Sequence, residues 1–109
     1  MVIWKYEIPV NDFFEISMPK GADVLCVQMQ GETPCIWVKI YEGIEEGVEK
    51  REFAIVGTGQ SFNDYEYYYV GTFQNYAGML VWHLFERWSQ YSEEEFEGQI
   101  EKHNLHEVK

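Results

Sequence analysis

The stretch that decides the fold is residues 22–42, ADVLCVQMQGETPCIWVKIYE, in which two alternating apolar runs flank the turn GETP at 31–34. Alternation with a period of two is typical of a half-buried β-strand. A hairpin centred on Glu32 and Thr33 would place six apolar side chains on one face, as the pairs Leu25–Ile40, Val27–Val38 and Met29–Ile36. A slip of one residue would scatter them, so the sequence predicts an antiparallel hairpin in this register.

The same alternation predicts strands on both sides of this hairpin. They fall at residues 2–8, 14–18 and 50–57, within 67–76, and at 79–87. Residues 79–85 are apolar on both faces apart from His83, which is typical of a central strand. A turn centred on Tyr76 and Ala77 would set Gly71 opposite Trp82, whose ring would then cover the bare glycine backbone.

Two segments of the chain echo each other at a distance of fourteen residues. Residues 53–62, FAIVGTGQSF, align with residues 67–76, YYYVGTFQNY, and share Val, Gly, Thr and Gln. Fourteen residues are too few for a solenoid repeat. The echo therefore predicts two successive strands that leave the sheet through similar Gly-Thr bends or bulges.

After Trp88 the pattern changes to an acidic segment. Ser92 and Glu95 have the spacing of a capping box, and Phe96 and Ile100 lie four residues apart, which predicts a helix at 92–104. We therefore expect a mainly β fold. It comprises a small antiparallel barrel or sandwich of six to seven strands over residues 1–88, followed by an acidic C-terminal helix or tail over 89–109.

The charge balance excludes one class of function. The 109 residues hold 19 acidic and 8 basic side chains, for a net charge of −11. Direct nucleic-acid binding needs a Lys/Arg surface that this chain does not supply. The sequence has neither a signal-peptide pattern nor an apolar run of roughly 18 residues, and its 2 cysteines lack an export signal. We therefore expect a cytoplasmic protein that does not bind membranes.

Catalytic and metal-binding patterns are weak. His83 is the one ionisable residue in the apolar run 79–85, and Glu86 lies on the opposite face of the same strand, so no local carboxylate orients the imidazole. His103 and His106, together with Glu107, fall short of a closed metal site. We predict no catalytic residues, no metal and no cofactor.

Six motifs in the first 86 residues carry a family resemblance. They are Ile3-Trp-Lys-Tyr6, Met18-Pro-Lys-Gly-Ala22, Cys35-Ile-Trp37, Val56-Gly-Thr-Gly59, Tyr69-Val-Gly-Thr-Phe-Gln74 and Val81-Trp-His-Leu-Phe-Glu86. Together they resemble a family of short phage and bacterial proteins that carries only an unknown-function label. The resemblance implies a phage or prophage origin and brings no activity or catalytic residue with it.

These observations favour a non-enzymatic phage accessory protein that binds a host protein with a basic groove, such as a defence nuclease or CRISPR-type effector that it would inhibit. An acidic field steers association with such grooves, and tyrosines are enriched at interface hot spots. The predicted partner-binding residues are Glu45, Glu46, Glu49, Glu93, Glu94, Glu95, Glu97, Tyr67 and Tyr69.

A small-ligand or nucleotide-binding β-barrel is the alternative function. Its ligand would contact Trp37, Tyr67, Tyr69 and His83, which are spread over three of the predicted strands. A phosphorylated ligand would also need basic residues to converge, and the candidates are Lys20, Lys39, Lys50 and Arg51. The sequence leaves the oligomeric state open, a homo-oligomer included.

Overall fold

The computed structural model describes residues 1–41 and 47–88, and within these ranges the chain forms seven β-strands. They are β1 (Val2–Glu7), β2 (Phe13–Pro19), β3 (Asp23–Gln30), β4 (Thr33–Ile40), β5 (Val48–Gly57), β6 (Tyr67–Asn75) and β7 (Leu80–Arg87). The strands form sheet A, with the order β1-β4-β3, and sheet B, with the order β2-β5-β7-β6. All neighbouring strands are antiparallel.

The two sheets make a sandwich rather than a closed barrel, because no strand pairing joins one sheet to the other within the described residues. Their inner faces meet in a core formed by Ile8, Met18, Val27, Ile36, Val38, Phe53, Ile55, Phe73 and Leu84. This confirms the predicted mainly β fold and decides between the two expected architectures. The predicted helix at 92–104 and the whole tail at 89–109 lie outside the described residues. Over 1–41 and 47–88 there is no helix long and apolar enough to cross a membrane.

The hairpin of β3 and β4 forms as predicted, but its register differs by two residues. Val27 pairs with Ile36 rather than with Val38, and Gln30 pairs with Thr33. The connection is a two-residue turn in which Gly31 has a φ of 62°, the conformation that favours glycine at the first position of a tight hairpin turn. A shift of two residues leaves each side chain on its own face, so the predicted inner face survives the wrong register.

Leu25 is the member of the predicted apolar set that the structure places elsewhere. The register shifts between Val24 and Cys26, which pair with Val38 and Trp37 respectively. Leu25 is the extra residue of this bulge and is 43% exposed, while Val24 packs against the core in its place. A bulge of this kind moves a side chain to the other face, and nothing in the alternation of the sequence announces it.

The hairpin of β6 and β7 also differs from its predicted register. Gly71 pairs with Leu84 rather than with Trp82, and a bulge lies between Tyr69 and Gly71. The turn is longer than predicted, because Tyr76, Ala77 and Gly78 all adopt positive φ angles. β7 lies between β5 and β6, which confirms the predicted central strand.

The two echoed glycines therefore have different roles. Gly57 ends β5 as predicted, whereas β6 continues beyond Gly71 to Asn75. Trp82 covers Gly57 instead of Gly71, with its ring 3.4 Å from the place of an added Cβ. At Gly71 an added Cβ would lie 2.8 Å from Cγ1 of Val27, a residue of sheet A. Glycine is required here because β6 and β3 approach each other across the sandwich.

The interior also contains an ion pair. The Nε atom of Arg51 donates to Oε2 of Glu86 at 2.5 Å, and both side chains are almost completely inaccessible. Nη1 of Arg51 donates to the Ala22 carbonyl at 2.8 Å and to Glu49 at 3.1 Å, and the Tyr68 hydroxyl donates to Glu86. The pair has the additional hydrogen bonds that a buried charge requires. It also removes Arg51 from the basic residues available to a phosphorylated ligand.

Candidate functional site

A cleft of about 410 Å³ lies on the outer face of sheet B, on the side away from sheet A. We call it the outer cleft; it is lined by Val56, Gly57, Thr58, Gly59, Gln60, Phe62, Asp64, Tyr69, His83 and Phe85. Its floor comes from β5, β6 and β7, and its rim comes from residues 58–64, which follow β5. Its volume falls within the range of about 300–1,000 Å³ that is usual for ligand sites.

A tight turn fixes the rim at the end of β5. The Gln60 amide donates to the Gly57 carbonyl at 3.0 Å, and the Gly57 amide donates to Oε1 of Gln60 at 2.9 Å. Gly59 has a φ of 88°, which this turn requires and which glycine adopts readily. The Thr58 amide also donates to the Val81 carbonyl at 3.3 Å, so the turn is tied to β7. The Thr58 hydroxyl is thereby held over the sheet.

The imidazole of His83 is held between two threonine hydroxyls. Oγ1 of Thr58 lies 2.8 Å from Nε2, and Oγ1 of Thr72 lies 2.9 Å from Nδ1. The Tyr69 hydroxyl lies 2.5 Å from Oγ1 of Thr72, which extends the chain of hydrogen bonds to Tyr69. In a neutral imidazole one nitrogen donates and the other accepts, and a hydroxyl can partner either. Both ring nitrogens are therefore satisfied and the ring orientation is fixed.

The bulge in β6 makes this arrangement possible. Tyr69 and Thr72 are three residues apart, so in a regular strand they would face opposite sides of the sheet. Because the bulge lies between Tyr69 and Gly71, Tyr69 pairs with Phe85 and Thr72 pairs with His83. Phe85 and His83 are two residues apart on β7 and share the outer face. The bulge thus brings both hydroxyls to the same cleft.

The aromatic side of the cleft is an angled cluster of rings. The Tyr69 and Phe85 centroids lie 5.7 Å apart with the ring planes at 66°, and Phe62 lies 5.1 Å from Phe85. Phe62 also contacts Tyr67 at 5.2 Å, which places Tyr67 behind the wall of the cleft rather than in its lining. Burial raises the pKa of the Tyr67 hydroxyl above its usual value. Tyr69 is 57% exposed, so part of its ring is available to a ligand.

The charge in the lining is negative. Asp64 lines the cleft, and its carboxylate has no hydrogen-bond or ion-pair partner among the described residues. Arg87, at the end of β7, is outside the lining and is engaged by Glu52 at 2.7 Å and by Glu66 at 3.2 Å. The hydrogen bond to Glu52 raises the pKa of the Arg87 guanidinium. The lining itself contains neither lysine nor arginine, so a phosphate group would meet no compensating charge there.

Both hydrogen-bond partners of the His83 imidazole are neutral hydroxyls. A hydroxyl beside an imidazole nitrogen is one element of an activated nucleophile, but such sites also use a charged group to orient the base. Thr72 occupies that orienting position with a neutral hydroxyl. Over residues 1–41 and 47–88 there is also no group of His, Cys, Asp and Glu side chains that could hold a metal ion.

The structure brings some of the sequence-predicted residues together and separates others. Tyr69 and His83 line the outer cleft, and Tyr67 supports its wall. Trp37 lies on sheet A, where it pairs with Lys5 and Cys26, so it cannot contact a ligand in this cleft. Glu49 contacts the buried Arg51. The remaining predicted acids, Glu45, Glu46, Glu93, Glu94, Glu95 and Glu97, lie outside the described residues.

The residues predicted from the sequence did not include Thr58 and Thr72, although the fourteen-residue echo marks both of them. In the fourteen-residue echo these two threonines occupy the same position. The echoed segments belong to β5 and β6, which lie on the two sides of β7, and each supplies one hydroxyl to His83. The two echoed segments therefore each place one threonine hydroxyl within hydrogen-bond distance of the same imidazole. No pattern in the sequence marked Phe62 or Asp64 as site residues.

Comparisons with known proteins identify the family and nothing more specific. The family model of DUF7352, a domain of unknown function, matches residues 1–95, so the chain belongs to this family. This confirms the resemblance to a family that carries only an unknown-function label. Neither the curated proteins nor the solved structures gave a match.

Proposed function

We propose that this chain is a non-enzymatic phage accessory protein that binds a basic host protein, and that the outer cleft is the aromatic part of its binding surface. The observation that carries the proposal is the unpaired carboxylate of Asp64 beside the half-exposed ring of Tyr69. A host-defence nuclease or CRISPR-type effector fits as the partner, because its nucleic-acid groove is basic and an acidic protein competes for it.

The distribution of charge supports this proposal. The described residues carry ten acidic and six basic side chains, and residues 42–46 and 89–109 carry nine acidic and two basic ones. Most of the net charge of −11 is therefore contributed by the two segments that contain all of the predicted partner-binding glutamates except Glu49. These segments supply the long-range attraction, while the cleft supplies short-range contacts that depend on side-chain identity.

Affinity capture from a bacterial lysate tests the proposal. The wild-type protein is compared with Tyr69→Ala and with the matched control Tyr76→Ala, since Tyr76 is an exposed tyrosine at the far end of the β6–β7 hairpin. We expect a partner that the wild type and Tyr76→Ala retain and that Tyr69→Ala loses. Capture should weaken as salt is raised. Equal capture by all three proteins would overturn the role of the cleft.

The electrostatic part of the proposal has its own variant. Changing Glu93, Glu94, Glu95 and Glu97 to glutamine removes four of the negative charges while it leaves the cleft intact. We expect this variant to associate more slowly with the same partner, because rim and long-range charges act mainly on the association rate. An unchanged association rate at low salt would remove the electrostatic mechanism.

A small-ligand function is the second candidate, and the volume of the outer cleft is the observation that favours it. Because the lining lacks lysine and arginine, uncharged or cationic compounds fit better than nucleotides. A thermal-shift screen with uncharged compounds, cationic compounds and nucleotides tests this function. Stabilisation by a nucleotide that is lost in Tyr69→Ala would favour the nucleotide-binding alternative over protein binding.

A further inference from the structure

We infer that the outer cleft binds an arginine side chain, held between the rings of Tyr69 and Phe85 and the carboxylate of Asp64. The inference rests on the proposed function, because it names the group of the basic partner that enters the cleft. Three features of the described residues support it: the geometry of the rings, the unpaired carboxylate that lines the cleft, and the hydroxyl oxygens in the lining.

The rings form a corner that suits a flat cation. Tyr69 and Phe85 meet at 66° with their centroids 5.7 Å apart, and the Phe62 centroid lies 5.1 Å from that of Phe85. Aromatic faces carry negative potential and attract cations within about 6 Å of the ring centroid. The edge-to-face contact of Tyr69 with Phe85 holds the corner in place before a ligand arrives.

The loop that carries Asp64 is held by several hydrogen bonds, while the Asp64 side chain itself is exposed to solvent. The Tyr65 amide donates to Oδ1 of Asn63 at 3.1 Å, and the Tyr67 amide donates to the Asp64 carbonyl at 2.9 Å. Glu66 adopts a φ of 73°, a conformation that is strained for a residue other than glycine, and its carbonyl accepts from the Trp88 amide at 2.8 Å.

Arginine fits this lining better than lysine or a phosphate. Its guanidinium is planar, stacks on aromatic rings and donates five hydrogen bonds, two of which can go to a single carboxylate. The cleft offers the Asp64 carboxylate together with the hydroxyl oxygens of Thr58 and Tyr69 as acceptors. A lysine ammonium would use the carboxylate but would gain less from the rings. A phosphate would be repelled by the carboxylate.

Calorimetric titration of the full chain with N-acetyl-argininamide tests the inference. A ligand of this size in a well-matched site is expected to bind with a Kd of about 1 mM. N-acetyl-citrullinamide has the same shape without the charge, and we expect it to bind about tenfold more weakly. Tyr69→Ala and Asp64→Asn should each weaken arginine binding about threefold to fivefold. Tyr69→Phe keeps the ring and loses only the hydroxyl acceptor, so it should weaken arginine binding less than Tyr69→Ala does.

Two control variants separate the cleft from general electrostatic attraction. Tyr76→Ala removes an exposed ring elsewhere, and Asp12→Asn removes an exposed charge elsewhere; neither should change the affinity. Equal binding of the arginine and citrulline compounds, or equal weakening by Asp12→Asn and Asp64→Asn, would overturn the inference. If N-acetyl-argininamide does not bind while Tyr69→Ala still loses the captured partner, the inference fails and the proposed function stands. If N-acetyl-argininamide binds in the cleft but no captured partner depends on Tyr69, the inference stands and the proposed function fails.

Discussion

Gly71→Ala is the substitution whose effect follows most directly from the packing of the two sheets. The added Cβ would lie 2.8 Å from Cγ1 of Val27, whereas an ordinary contact begins at about 3.4 Å, so the Val27 side chain or one of the two strands must shift. Overpacking of this kind costs about 1–3 kcal/mol. Alanine also restricts the unfolded chain, which offsets about 0.4–1 kcal/mol. We therefore expect a net loss of about 1–2 kcal/mol in the free energy of unfolding, measured by urea titration.

Gly57→Ala is the matched control for this prediction. It lies on the neighbouring echo, and its added Cβ would make an ordinary contact of 3.4 Å with the Trp82 ring. We expect its stability to stay within about 0.5 kcal/mol of the wild type. Because Val27→Ala removes the clashing methyl group, the Gly71→Ala change should be less harmful in that background. Strict additivity of the two changes, or equal effects of the two glycine substitutions, would refute the reasoning.

Three further changes test other parts of the fold. Glu86→Gln deprives the buried Arg51 of its main counter-charge, and urea titrations should show a loss of about 3–5 kcal/mol; a loss below about 1 kcal/mol would contradict the importance of this ion pair. Burial raises the pKa of Tyr6 and of Tyr67 above the usual 10.0, so the unfolded state loses these protons first. The free energy of unfolding should therefore have its full value below a pH of about 10 and decrease above it. Tyr6→Phe should make that decrease shallower. An unchanged pH dependence in this variant would contradict the role of Tyr6. Ala77→Gly relieves a residue with a φ of 55° and should raise the unfolding free energy by about 0.5–1 kcal/mol in thermal melts, whereas a loss of stability would show that the turn is unstrained.

The sequence predicts the fold well where the alternation of side chains carries the information. The strands, the central position of β7 and the inner face of the β3–β4 hairpin all follow from it. Both registers differ from prediction because turn length depends on backbone angles, at Gly31 in one hairpin and at 76–78 in the other. The bulge at Leu25 could not be predicted either, because an extra residue in a strand does not change the composition of the segment.

The candidate site was predictable only in part, because it depends on which strands are neighbours. Tyr69 and His83 were singled out by their residue types in an apolar setting. The hydrogen bonds between His83 and the hydroxyls of Thr58 and Thr72 require β5 and β6 to lie on either side of β7. The order of the strands in the sequence does not specify this arrangement. The same is true of Arg51 and Glu86, which are 35 residues apart in the chain and meet only through the β5–β7 pairing.

The central claim is that recognition occurs in the outer cleft, and chemical-shift mapping of the ¹⁵N-labelled chain tests it most directly. The protein is titrated with a short arginine-containing peptide, and the amide shifts are followed residue by residue. The account predicts that the largest changes cluster at Thr58, Asp64, Tyr69 and His83, with no change at Trp37 on the opposite sheet. Shifts that centre on Trp37, or that spread evenly over the acidic residues while the cleft stays silent, would contradict it.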